Sequence, residues 1–184
     1  MRIGLLGGSF DPIHYGHLRA ADWAASAFGL DQTRLMPAAQ SPFKPPCIAS
    51  AVARVEMIRL ALSDNPLLAL EECEVRRPAP SYTIDSLVEL KGREPGSDFV
   101  LLVGSDAAEG IDRWHRAGEV KQLAELRVVP RVKEGSLLSK ESLVFEGLSI
   151  SSTALRNAVK HGRSIRYLTP EPVRRYIEEM GLYR

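Results

Sequence analysis

The sequence predicts a doubly wound α/β fold, a mainly parallel sheet with helices on both of its faces. Three observations carry that prediction. Short apolar runs bounded by glycine recur along the chain. The stretches between them carry helical periodicity. One run, FVLLV at residues 99–103, is apolar without alternation, as a parallel strand covered on both faces requires.

The first strand is IGLL at 3–6, stopped by Gly7 and Gly8. Residues 15–29 are alanine-rich and close on Gly29, which gives a helix with a glycine stop. Strand, glycine turn and helix form the first half of a βαβ unit. A second strand is expected at 33–37, and AAQSPFKPPCIAS, rich in Pro, Ser and Ala, is a loop. Helix returns over 50–63, with Val52, Val55, Ile58 and Leu62 on the inward face and Arg54 and Arg59 away from it. A third strand is placed near 68–75, and SYTIDSLVELKGR reads as a helix ending near Gly92. After the strand at 99–103 come a helix around 117–125, a strand at 127–129 and a weaker one at 143–145. Two helices close the order: SSTALRNAVKH, with Leu155 and Val159 inward, and PEPVRRYIEEM, with Val173, Ile177 and Met180 inward. No repeat or linker divides the chain, so residues 1–184 read as one domain around a Rossmann-like sheet.

Composition narrows the function classes. With 24 basic and 23 acidic residues the net charge is +1, and no long like-charge run appears, which argues against a general nucleic-acid binder. Cys47 and Cys73 make neither a disulfide framework nor a metal knuckle, so a reducing, cytoplasmic setting is expected. No signal peptide is visible, and no apolar run reaches membrane-spanning length.

The chemistry concentrates in GGSFDPIHYGH, residues 7–17. In the predicted fold this loop leaves the carboxyl end of the first strand, the ligand edge of a doubly wound sheet. Glycines there admit a bulky anion, and the helix start beyond offers free N–H groups. His14 and His17 can both face the space above the strand, and imidazoles suit charge on phosphate oxygens. A capping histidine or a metal pair are the alternatives; zinc needs a third ligand, and neither His115 nor His161 stands in ligand spacing. The motifs GxxxxGK[ST] and GxGxxG are absent, which weakens P-loop and dinucleotide-redox readings. A second cluster, LSISSTALR at 148–156, places Ser151, Ser152 and Thr153 before a helix and Arg156 in its first turn. It is either an anion site or an ordinary N-cap beside a solvated arginine. Together the two clusters could grip one polyphosphate from two sides.

These residues carry a resemblance. GGSFDPIHYGHL resembles the HxGH signature of the nucleotidylyltransferase superfamily, and SISSTALR is similar to its ISSTxxR signature. SYTIDSL at 81–87, VGSDAAEGIDRWH at 103–115 and RYLTPEPVRRYI at 166–177 most resemble the bacterial nicotinate-nucleotide adenylyltransferases of NAD synthesis. The resemblance implies that ATP and nicotinate mononucleotide condense to nicotinate adenine dinucleotide and pyrophosphate, with Mg2+ held mainly by the ATP phosphates and water. It implies catalytic roles for His14, His17, Lys44 and Arg156. Gly8, Ser9 and Phe10 would lie by the phosphates, with Ser151, Ser152 and Thr153 at the helix start. Gly104 and Asp106 would lie near a ribose and Arg131 on the adenine side; Asp106 could equally cap the following helix. Trp114 would stack on the pyridine ring or simply pack, while backbone N–H groups near Thr83 and His115 meet the carboxylate. Two positions depart from the family pattern: Phe43, where a histidine often precedes the lysine, and His115, where an aromatic is common. Neither a nucleic acid nor a membrane is an expected partner, and homo-oligomerisation stays open.

Overall fold

The structure, a computed structural model, describes residues 1–62, 64–130 and 148–184, the Asp106 side chain excepted. The strand expected at 143–145 and the Arg131 contact lie outside the described residues.

Five strands, β1 (Arg2–Gly8), β2 (Gln32–Pro37), β3 (Leu68–Leu70), β4 (Asp98–Gly104) and β5 (Glu125–Val129), form one sheet in the order β3-β2-β1-β4-β5. Every pairing is parallel. The helices are α1 (Tyr15–Ala27), α2 (Ala51–Ala61), α3 (Cys73–Arg76), α4 (Thr83–Arg93), α5 (Ser105–Ala108), α6 (Ala117–Leu123), α7 (Ser152–Lys160) and α8 (Glu171–Glu179). A 3-10 turn, Ile111–Arg113, lies between α5 and α6.

The uninterrupted FVLLV run has its expected cause. Phe99, Leu101 and Val103 pack with Ile84, Leu87, Leu90 and Val120 from α4 and α6, while Val100 and Leu102 meet Ala24 and Leu30 on the opposite face. Both sides of β4 are therefore apolar, and each such fully buried side chain contributes roughly 1.5–3 kcal/mol. At Gly4 a Cβ would stand 2.6 Å from the Leu30 side chain, so Leu30, just past the end of α1, lies directly against β1 where no side chain intervenes. A third cluster joins α1, α2, α7 and α8 through Ala21, Met57, Ile58, Leu155, Val173 and Ile177, and Tyr183 closes it.

Four expectations need correction. Val52 is 78% exposed and Arg54 only 1%, the reverse of the predicted helix face. Helix α2 packs against β2 and β3 on one side and α8 on another, so its buried arc is Ala53, Arg54, Val55, Met57, Ile58 and Ala61. Strand β3 stops at Leu70, and residues 73–76 form a helical turn because the Glu71 carboxylate accepts from the Cys73 N–H at 3.1 Å. Met180 is exposed at the end of α8; Gly181, at φ +61°, turns the chain, and Tyr183 is buried instead.

Candidate functional site at the carboxyl edge of the sheet

Strand order reverses at β1, which pairs with β2 on one side and β4 on the other. The register of Leu6 with Leu102 carries Gly8 and Gly104 to the same level, so the two following loops leave the sheet side by side.

The loop after β1 is buried, which is unusual for a connection. Phe10, Asp11, Ile13 and His14 are each 4% exposed or less, so their polar groups must find partners inside the protein. The Ser9 carbonyl accepts from Arg54 Nη1 at 2.8 Å and the Asp11 carbonyl from Arg156 Nη1 at 2.7 Å. The Pro12 carbonyl accepts from Ser152 Oγ at 2.9 Å and the Ile13 carbonyl from Thr169 Oγ1 at 2.8 Å. Four negative dipole ends are thus committed to internal donors. The Asp11 carboxylate accepts from the Ile48 and Ala49 N–H groups at 2.8 and 3.1 Å and from the Tyr183 hydroxyl at 2.7 Å. Burial first, and then Asp11, pushes the Tyr183 pKa far up, so the phenol remains a donor.

His14 and His17 stack with ring centroids 3.7 Å apart and planes 17° from parallel, and the Phe10 ring meets His17 edge-on at 4.9 Å. The Phe10 side chain therefore lies in the core under the loop. The glycines serve this packing. A Cβ at Gly16 would stand 3.0 Å from the His14 ring and one at Gly8 2.9 Å from the Phe10 ring. At the start of α7, Ser151 caps the helix by accepting from the Ala154 N–H at 3.2 Å, and Thr153 Oγ1 accepts from Arg156 Nη2 at 3.2 Å. Ser151 thus caps α7, while Ser152 Oγ and Arg156 Nη1 donate to the first loop.

The nicotinate-side candidates come together as well. Thr83 opens α4, and the preceding Tyr82 ring packs on His115 at 4.5 Å. Trp114 is half-buried against the α4 and α6 core. Ser81 ties this segment to the end of β2: its N–H donates to the Gln40 carbonyl at 2.9 Å, and its hydroxyl accepts from the Ala39 N–H at 2.9 Å. Below, the buried Glu74 carboxylate accepts from Ser86 Oγ at 2.9 Å, and burial raises its pKa. Lys44 sits exposed in the loop after β2, its carbonyl accepting from Gln40 Nε2 at 2.9 Å. Gly104 is the N-cap of α5, and Asp106 falls within that helix.

Burial pushes the Cys73 thiol up to about 12, which removes it as a nucleophile. Among the described residues no group of three His, Cys, Asp or Glu side chains could hold a metal ion. No helix among them is long and apolar enough to cross a membrane. Sequence reasoning gave no part to Asp11, Arg54, Thr169 or Tyr183. Asp11 and Thr169 lay within quoted motifs; nothing local marks Arg54 or Tyr183.

A buried glycine loop, a histidine pair and a helix start at the switch point of a parallel sheet define a nucleotide-binding α/β protein. Comparison with known proteins narrows the class. A profile of the cytidylyltransferase-like family matches residues 5–158. A probable nicotinate-nucleotide adenylyltransferase of Exiguobacterium sibiricum is 40% identical, covering 100% of this chain and 99% of that protein. Another from Thermus thermophilus is 41% identical, covering 100% of both. Nicotinic acid mononucleotide adenylyltransferase of Plasmodium falciparum, solved with NaAD, shares the fold with a TM-score of 0.73 and 18% identity, covering 99% of this chain and 97% of that one. The chain belongs to the cytidylyltransferase-like family and, within it, to the nicotinate-nucleotide adenylyltransferases.

Proposed function

We propose that the chain transfers the adenylyl group of ATP to nicotinate mononucleotide, forming nicotinate adenine dinucleotide and releasing pyrophosphate. The observation that carries this reading is the stacked pair of His14 and His17, held on a buried loop that Arg156 and Ser152 bind from the other end of the chain.

The attacking group is a phosphate monoester, already largely dianionic near neutral pH with a second pKa of about 6, so no general base is needed. Its charge opposes approach to the α-phosphorus of ATP. Catalysis therefore rests on alignment and on neutralising charge. His14 and His17 contact the triphosphate and the pentavalent centre, and Lys44 reaches a phosphate from its loop. Arg156, with Ser151, Ser152 and Thr153, holds the β and γ groups that leave. Gly8, Ser9 and the Phe10 backbone lie along the phosphates, and Gly104 and Asp106 lie by a ribose. Magnesium enters with ATP as part of the substrate. Trp114 stacks on the pyridine ring, and the backbone at Thr83 and His115 meets its carboxylate. An amide would turn an N–H onto one of those donors. Residues 1–184 act as one domain in a reducing cytoplasm, where Cys47 and Cys73 stay free.

The test is pyrophosphate release with MgATP and either nicotinate or nicotinamide mononucleotide. Release with the acid, and far less with the amide, is expected. No turnover with either sinks the enzymatic reading, and equal turnover sinks the acid preference.

A further inference from the structure

The largest fully buried side chain in the described structure is a charged one, Arg54, at 1% exposure. Its guanidinium donates to two carbonyls, Ser9 at 2.8 Å and Ala39 at 3.4 Å, and its buried Nε has no hydrogen-bond partner. Among the described residues no carboxylate forms an ion pair with it, although such pairs engage many of the other arginines. A buried guanidinium without a counter-charge is costly, and carbonyl dipoles offset only part of that cost. Its place explains what it can do. Ser9 follows the end of β1 and Ala39 follows the end of β2, so one side chain bridges the loops that flank the phosphate cradle. Arg54 and Arg156 both act electrostatically on Tyr183, which puts two cations around the Asp11 anchor from opposite sides of the chain.

We propose that Arg54 is a positioning residue for the polyphosphate: it fixes the Ser9 and Ala39 loops, and its buried charge, which no ion pair among the described residues engages, makes the anion-bound state the better-compensated one. This rests on the cradle binding ATP phosphates, as proposed above. Arg54 touches no reacting atom. In this low-dielectric position its field is little screened, so the bound anion adds a compensation that no ion pair among the described residues supplies.

Two substitutions separate charge from shape. Arg54→Lys keeps the charge and loses the fork; Arg54→Gln keeps a donor and loses the charge. Binding of inorganic pyrophosphate by titration calorimetry, with KM for ATP and for nicotinate mononucleotide, reads the difference. The expected result is at least a tenfold loss of pyrophosphate affinity and a matching rise in the ATP KM for Arg54→Gln. Arg54→Lys stays within threefold of wild type, and the nicotinate mononucleotide KM stays within twofold in both. Equal binding by the two variants overturns the proposal, because a purely structural role does not distinguish them. Should Arg54→Gln fail to fold, Arg54→Lys decides alone, and a loss beyond threefold overturns it. Wild-type protein that binds no pyrophosphate condemns the cradle reading itself, a result distinct from a variant that binds as wild type does.

Discussion

On the proposed phosphate side, the residues that shape the site come from opposite ends of the chain. Ser152, Arg156, Thr169 and Tyr183 reach back 140, 145, 156 and 172 positions to the loop 11–13. On the proposed nicotinate side, Tyr82 and His115 meet through a ring contact, and His115 stands exposed. The first region is fixed by long-range directional bonds in a buried setting, whereas in the second, hydrogen bonds through Ser81 are joined by ring stacking that reaches the surface. The difference matches what each must do. Donors that stabilise charge appearing in a transition state act well only if held in place beforehand, whereas a flat ring is recognised by faces that tolerate adjustment.

Substitutions on the two sides should therefore fail differently. His17→Ala should lower kcat about a hundredfold, roughly 3 kcal/mol, with the ATP KM within a few-fold; steady-state kinetics checks this, and parallel loss of both would make His17 a plain binding residue. Tyr183→Phe removes a donor from the buried Asp11 carboxylate and should cost about 2 kcal/mol of stability. Denaturant unfolding reads it, and an unchanged midpoint would mean that the tie does not secure the loop. Trp114→Ala should raise the nicotinate mononucleotide KM about tenfold, about 1.4 kcal/mol, and leave the ATP KM alone. Equal rises would show the two sides to be coupled rather than separate.

The smallest effect lies outside both. Hydrogen bonds from Arg174 first, then from Arg175, hold the Glu171 carboxyl at about 2, below its ordinary 4.5. Its contribution is thus present above pH 4.5 and lost as pH falls through about 2. Thermal melts of Glu171→Gln should show a shallower acid limb than wild type, most visibly at low salt. Identical limbs would remove this pair from the acid response.

The sequence displayed the sheet well, because FVLLV and the glycine-stopped IGLL are local signals and all five strands fall where apolar runs predicted, β3 being shorter. It displayed the histidine pair too, and Gly16 between them was the visible trace of their stacking. What it concealed was anything set by two coverings at once. Helix α2 is packed from the sheet and from α8, so a single inward stripe through Val52 was the wrong geometry. Arg54 looked solvent-bound because its polar environment is supplied by residues 9 and 39, not by its neighbours. The partners of Asp11 were hidden for the same reason, and the burial of Phe10 had no local mark.

The three carbonyls at 11, 12 and 13 also set an order in time. Synthesis runs from the N-terminus, so the HxGH segment emerges first, yet its clasp is made by residues 152, 156 and 169, with Tyr183 on the Asp11 carboxylate. Until α7 and the segment beyond it have left the ribosome, the loop lacks the donors that shape it. A nascent chain that already displays both histidines therefore cannot yet set this loop in its folded geometry.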